Sequence, residues 1–424
     1  MLYLNFENLA KIGKTHGITR AEILAQGKLI EKYLREIESK NQGFYTIIDD
    51  KSQLQNINKY AKKVEGKYKD IVVLGIGGSA LGTLCLKHAL RYLPNKSKAP
   101  KLHIVTNIDP VKIKKIESDI DFKKTLFIVI SKSGSTIETI SQYLYFRQKC
   151  KDKKLKITDH FVFVTDEKEG ILRMIADKEK ITSFDVPKNI EGRFSVLTVV
   201  GLLPARLIGI KIEELIEGAK RIRDEFLKKN IEENTPFQLA AIQYLLAKKG
   251  KNINVLMPYS QELDFLSIWY TQLLAESIGK KGNGITPLRA LGVSDQHSQI
   301  QLFNDGPNDK LIMFIEVEKL SENLYIPNSH PELKEFELMN KKISFNRLLE
   351  LEKQGTEMAL THNNRPNITI KIPKVSEENL GELFMLFETS VAFLGEFYKI
   401  YAFDQPAVEL GKKFTKELLL KEYL

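Results

Sequence analysis

Between Ile71 and Phe184 the chain repeats one pattern five times. Short apolar runs, Ile71–Leu74, Leu102–Val105, Thr125–Ile130, Phe161–Thr165 and Ile181–Phe184, alternate with amphipathic stretches long enough for a crossover helix. That alternation predicts an α/β fold: a parallel sheet covered by helices on its faces. A second set of runs, Ile253–Met257, Lys310–Ile315 and Ile368–Ile370, predicts a second α/β unit. Residues 1–65 read mainly as helix, with Thr19 placed to cap it and Ile23, Leu24, Ile30, Leu34 and Ile37 at helical spacing. A long helical region is expected from Ser195 to Lys249, ended or kinked at Pro204. The expected division is a helical N-terminal segment (1–65), a first unit (66–205), a second (206–378) and a helical C-terminal tail (379–424). No low-complexity linker separates the units, so they are expected to pack together with a ligand in the cleft between them.

The first unit carries the stretch richest in chemistry. Residues 131–139, Ser-Lys-Ser-Gly-Ser-Thr-Ile-Glu-Thr, follow one apolar run and open the helix expected over Ile137–Cys150. Backbone N–H groups at a helix N-terminus have no internal partner, and the helix dipole favours an anion there. Ser131, Ser133, Ser135 and Thr136 add hydroxyls, and Lys132 adds a cation. The plain alternative is a capping box from Ser135 to Glu138, but a cap needs one hydroxyl rather than four.

Five further segments stand out, each with an ordinary explanation when taken alone. Gly75–Gly82, Gly-Ile-Gly-Gly-Ser-Ala-Leu-Gly, follows the first run and resembles a dinucleotide-binding turn. The acid expected after the second strand is not evident, however; Thr106 and Asn107 fall there, with Asp109 just beyond. Two hydroxyl-bearing loops at neighbouring strand ends suit one compact phosphate better. Arg193, in Glu191–Ser195, could be a surface ion-pair partner, and Glu276, in Gln272–Lys280, a solvated helix-end residue. His297 alone among seven histidines lies in a polar cluster, and it has no second ligand at zinc spacing. Lys412, in Gln405–Lys413, could belong to a solvated helix face.

Composition excludes other classes. The net charge is +10, but the lysines are scattered among acids rather than gathered in blocks, which argues against nucleic acid. The longest uncharged run, Ile71–Leu86, is too short and glycine-rich for a membrane span. The first residues lack the layout of a signal peptide, and the two distant cysteines, Cys85 and Cys150, suit a reducing compartment. A cytoplasmic protein is expected.

In series, the segments Gly75–Gly82, Ser131–Thr139, Glu191–Ser195, Glu276–Lys280, Asp295–Gln301 and Gln405–Lys412 resemble the glucose-6-phosphate isomerase (phosphoglucose isomerase) family, in its shorter bacterial form. The resemblance runs from about residue 70 to the end. It implies two tandem sugar-isomerase α/β/α sandwich domains, a homodimer, aldose–ketose isomerisation of glucose 6-phosphate, and neither metal nor organic cofactor. It implies Glu276 as the base, Arg193 beside the reacting carbons, and His297 with Lys412 as the ring-opening pair. It implies substrate contacts from Gly78, Ser79, Ser131, Lys132, Ser133, Thr136, Gln272 and Gln405. In that family the histidine comes from the partner subunit. Gly134 and Ser135 stand where many members carry bulkier residues. Two other readings compete. A non-catalytic sugar-phosphate-binding protein of the same fold would need none of Glu276, His297 and Lys412, and a dehydrogenase would bind nicotinamide.

Overall fold

The computed structural model describes residues 1–90, 99–327, 332 and 343–423. The chain opens on a three-residue strand, β1 (Tyr3–Asn5), where helix was expected. Three residues are too few to show a period. An open sheet edge elsewhere in the fold makes this segment a strand.

The first sheet comprises β2 (Asp70–Leu74), β3 (Lys101–Val105), β4 (Thr125–Ile130), β5 (Phe161–Thr165) and β6 (Thr182–Asp185), in the order β3-β2-β4-β5-β6 and parallel throughout. Every residue of β2, β4 and β5 is buried, as in a sheet covered on both faces. The pleat sorts them: Ile71 and Val73 enter the main core with α1 (Leu81–Ala89), while Val72 and Leu74 pack with α2 (Ile137–Asp152) on the other side. Parallel strands align their carboxyl ends, so the loops after β2 and β4 open on the same edge.

The expected helical region from Ser195 divides into α3 (Val199–Leu207), α4 (Ile212–Phe226) and α5 (Thr235–Lys248). Pro204 lies inside α3 and does not end it; the helix continues to Leu207. The second sheet follows with β7 (Ile253–Pro258), α6 (Asp264–Ile278), β8 (Thr286–Arg289), β9 (Lys310–Val317), α7 (Phe345–His362) and β10 (Asn367–Ile372). Its order is β1-β10-β9-β7-β8, parallel except for β1, which runs antiparallel on β10. Strand β8, Thr-Pro-Leu-Arg, was not expected. It has no apolar run and holds a proline, which an edge strand tolerates.

The expected C-terminal tail consists of two helices of opposite character. Helix α8 (Glu377–Tyr398) is buried almost throughout. Phe384 packs on Trp269 and Phe387 on Tyr270 of α6, and Phe393 packs on Phe226 of α4 and Phe237 of α5. Helix α9 (Val408–Tyr423) has no buried residue. Among the described residues, no helix is long and apolar enough to cross a membrane.

Glu388, within α8, is fully buried, and neither carboxyl oxygen has a hydrogen-bond partner among the described residues. Desolvation raises its pKa well above the ordinary carboxylate value. The folded chain therefore holds a proton that the unfolded chain releases. This contribution to stability is intact below the unfolded pKa of about 4.3 and is lost as pH rises through the folded value. Glu388→Gln keeps the shape without the ionisation. Its unfolding midpoint is expected to match the parent near pH 4 and to exceed it by several degrees at pH 8. A difference that is the same at both pH values would contradict this.

Candidate active site

The hydroxyl loop begins where β4 ends. The Ser131 N–H donates to the Val164 carbonyl (3.0 Å), which pins the loop to β5. Ser131 Oγ and Thr136 Oγ1 lie 2.9 Å apart, and Ser133 Oγ is 3.5 Å from Thr136 Oγ1. Thr136 is the N-cap residue of α2 but makes no side-chain cap hydrogen bond. The capping box from Ser135 to Glu138, the plain alternative to an anion site, is thus absent. The hydroxyls bond one another around a helix N-terminus that no side chain caps, which suits an incoming anion. Gly134 sits at φ +64°, where a Cβ would lie 3.0 Å from Thr165 Oγ1 and 3.2 Å from Gly170 Cα, so a larger residue would not fit here unchanged. Lys132 turns toward a second loop, its Nζ 2.9 Å from Glu191 Oε1.

That second loop meets the glycine-rich turn after β2. Gly77–Ser79 and Gly192–Phe194 each form a 3-10 turn, and the two are in backbone contact. A Cβ on Gly78 would stand 2.2 Å from the carbonyl carbon and oxygen of Gly192 and 2.7 Å from the Arg193 nitrogen. Gly77, at φ +56°, would bring a Cβ within 2.9 Å of Gln272 Nε2. The glycines therefore serve the convergence of three segments remote in sequence. The acid a dinucleotide would need is absent as well: Asp109 accepts from the Lys112 N–H (3.0 Å) and caps the next helix.

Arg193 is the hub. Its side chain is 2% exposed. Nε donates to Ser277 Oγ (2.7 Å), Nη1 to Gln405 Oε1 (2.8 Å) and to Glu276 Oε2 (3.5 Å), and Nη2 to the carbonyls of Ala402 (2.5 Å) and Asp404 (3.1 Å). Burial pushes the guanidinium below its ordinary pKa, and Glu276, Glu191 and Asp404 oppose that. It stays cationic at any working pH. Glu276 is near the carboxyl end of α6. Its other oxygen accepts from Gln272 Nε2 (3.0 Å), one helical turn earlier. A carboxylate one-third exposed, with one oxygen held by an amide and the other beside a fixed cation, can exchange protons with a bound molecule while the cation stabilises an oxyanion.

A cavity of about 480 Å³ borders Glu276, between the end of α6 and the loop from Ile400 to Val408; Lys280, Tyr401, Asp404 and Gln405 also line it. Lys280 and Asp404 pair at its wall, 2.8 Å apart. Sequence reasoning assigned roles to neither, nor to Ser277. Ser277 and Lys280 lie in the Glu276 segment and Asp404 beside Gln405, so adjacency was the only available signal.

Two expected members lie elsewhere. His297 is exposed at the end of a 3-10 turn (Ser294–His297) beyond β8. That turn sits near the opposite end of α6: Gln299 donates to the Arg289 carbonyl (3.3 Å), and Arg289 grips Asp264, the first residue of α6. Glu276 is twelve residues further along that helix, a rise of about 18 Å. Lys412 is exposed on α9, where it pairs with Glu409 (2.7 Å). Among the described residues, neither bonds Glu276 within one chain. Among the described residues, no group of His, Cys, Asp and Glu could hold a metal.

A family model described as phosphoglucose isomerase matches residues 49–422. The chain is 43% identical over 406 residues to a glucose-6-phosphate isomerase of Carboxydothermus hydrogenoformans, covering 92% of this chain and 87% of that protein. It is similar to a hypothetical protein of known structure from Thermus thermophilus, with TM-score 0.89 and 32% identity over 99% of this chain and 100% of the other. A glucose-6-phosphate isomerase structure from Chlamydia trachomatis shares the fold, with TM-score 0.84 and 22% identity over 97% and 88% of the two chains.

Proposed function

This chain belongs to the phosphoglucose isomerase family, with its sugar-isomerase fold, and interconverts glucose 6-phosphate and fructose 6-phosphate; from that premise we propose that Glu276 moves the proton between C2 and C1 of the opened sugar. The observation that carries this assignment is the convergence of three remote segments at one carboxylate: Arg193 and Gln272 donate to Glu276, and Gln405 accepts from Arg193. Loss of a proton α to the carbonyl leaves an enediolate, negative at oxygen. Arg193 stabilises that charge without giving up a proton of its own. Gln272 keeps one Glu276 oxygen oriented and Gln405 steadies the guanidinium, and both amides reach the substrate.

The phosphate undergoes no chemistry. Ser131, Ser133 and Thr136 hold it over the N-terminus of α2, and Gly78 and Ser79 contact the sugar phosphate from the neighbouring strand end. Lys132, bound to Glu191, ties this anchor to the Arg193 loop. Binding energy spent at the anchor fixes the reacting carbons beside Glu276. A non-catalytic sugar-phosphate binder would have no need of the Arg193–Glu276 cluster.

The sugar arrives mostly as a closed ring, which His297 and Lys412 open. His297 protonates the ring oxygen, the imidazole serving as general acid. With some 18 Å of helix between its turn and Glu276 in one chain, His297 acts from the partner subunit of a homodimer. The exposed apolar stripe of α9, Leu410, Phe414 and Leu418 at four-residue spacing, supports a dimer because a second subunit can cover it. The two sugar-isomerase units span 66–205 and 206–378 in this reading, flanked by the segments 1–65 and 379–424. The buried, unpaired Cys85 and Cys150 suit work in the cytoplasm.

Mixing subunits tests the shared site. Glu276→Gln and His297→Ala homodimers are each expected to be nearly inactive. Heterodimers of the two contain one site with both native residues and one with neither, so activity returns to about half the native value per heterodimer, as two-site counting requires. Absence of complementation in confirmed heterodimers would remove His297 from the partner's site.

A further inference from the structure

Gln405 and the first turn of α9 are reached through one short loop, residues 399–407, between α8 and α9. Two cations hold it. Arg193 takes the carbonyls of Ala402 and Asp404 and the Gln405 side chain. Lys280 takes the rest: its Nζ lies 2.8 Å from Asp404 Oδ1 and donates to the Tyr401 carbonyl at 2.6 Å. The Lys280 side chain is only 10% exposed. Burial pushes its ammonium below the ordinary lysine pKa, and Asp404 counters this.

Lys280 is itself rigidly placed. The Gly279 N–H donates to the Ala275 carbonyl, and Lys280 forms a bridge with Asn283, so the turn after α6 is closed. Lys280 follows Glu276 by one helical turn's worth of chain. The candidate base and the lysine that grips the loop thus share one support, and both line the same cavity.

We propose that Lys280 is a positioning residue for the isomerisation, latching the loop of Tyr401 and Asp404 so that Gln405 stays on Arg193 and α9 leaves the loop in a fixed direction. The inference rests on the assignment of Glu276 and Arg193 made above. It adds a device outside the reacting atoms: the Lys280–Asp404 pair sets where Gln405 and, through α9, Lys412 stand. The phosphate anchor at Ser131 is on another loop and is untouched by the latch.

The experiment is steady-state kinetics with fructose 6-phosphate on Lys280→Met, Lys280→Arg and Asp404→Ala, with Glu276→Gln in parallel and folding checked by circular dichroism. Lys280→Met keeps the stem and deletes the charge. It is expected to lower kcat about 10- to 100-fold, the cost of misplacing a catalytic group by an ångström or less, with KM changed less than about threefold. Lys280→Arg is expected to recover most of the loss, and Asp404→Ala to reproduce it. Asp404 is half exposed, so its variant decides the matter if Lys280→Met does not fold. Native kcat in folded Lys280→Met, a loss seated in KM, or a loss that arginine leaves unrepaired would each overturn the latch. In the first case an inactive Glu276→Gln would leave the base assignment standing, whereas an active one would remove that assignment itself.

Discussion

Glu276→Gln is expected to lower kcat for fructose 6-phosphate by about 10²- to 10⁴-fold, the usual range for loss of a general base. The substitution is nearly isosteric. Its remaining oxygen can still accept from Gln272, and the helix around it is unchanged. Substrate capture depends on the loop at Ser131, which Glu276 does not touch, so KM should stay close to native. The combination matters: a large loss confined to kcat identifies a group used in the transition state rather than in binding. Steady-state kinetics in both directions provides the check. A variant retaining more than about a tenth of native kcat would not fit a general base.

Arg193→Lys has the next largest expected effect. Lysine keeps the charge but not the fork. The guanidinium donates to Ser277, Gln405, Ala402 and Asp404 while standing beside Glu276, and a single ammonium cannot meet those directions together. Two consequences should separate cleanly. The enediolate loses a placed donor, which costs about 10²- to 10³-fold in kcat. Buried acceptors lose their partners, which costs about 1–3 kcal/mol each where no replacement forms, so the unfolding midpoint should also fall. A variant whose midpoint falls while kcat holds would make Arg193 purely structural. Unchanged values of both would contradict the geometry around it.

Much of this protein is legible one segment at a time. The five runs from Ile71 to Phe184 become five parallel strands; β2, β4 and β5 are buried and largely apolar on both faces, the mark of a covered sheet, while the more polar β6 lies at its edge. The hydroxyl loop is legible because its chemistry is contiguous. The plain alternative, a cap from Ser135, is not formed: Thr136 Oγ1 bonds Ser131 instead of an α2 N–H. Lys132 shows the limit of such reading. It was expected at the phosphate, but its ammonium sits on Glu191, 59 residues away in sequence.

Other features depend on partners the local pattern does not contain. Strand β1 exists because β10 leaves an edge for it, and β8 because an edge tolerates its proline. The segment after Glu377 has helical periodicity throughout, yet α8 became the spine of the core and α9 a bare surface helix. The buried, unpartnered Glu388 was equally invisible in a helix whose other acids mark a solvated face in most chains.

Residue types and order along the chain determined by themselves the α/β class, the two strand-and-helix units, the contiguous hydroxyl loop at Ser131–Thr136 and the candidates Arg193, Glu276, His297 and Lys412. Secondary-structure periods and loop chemistry are local, written over a handful of adjacent residues. Only the tertiary structure decided that Arg193 reaches across 212 residues to Gln405 and that Gly78 presses on Gly192. It also decided that Lys280 grips Asp404, and that His297 lies at the far end of the helix bearing Glu276. Those relations are set by which buried surfaces fit together. Packing couples residues through space, and no window along the chain contains both sides of such a contact.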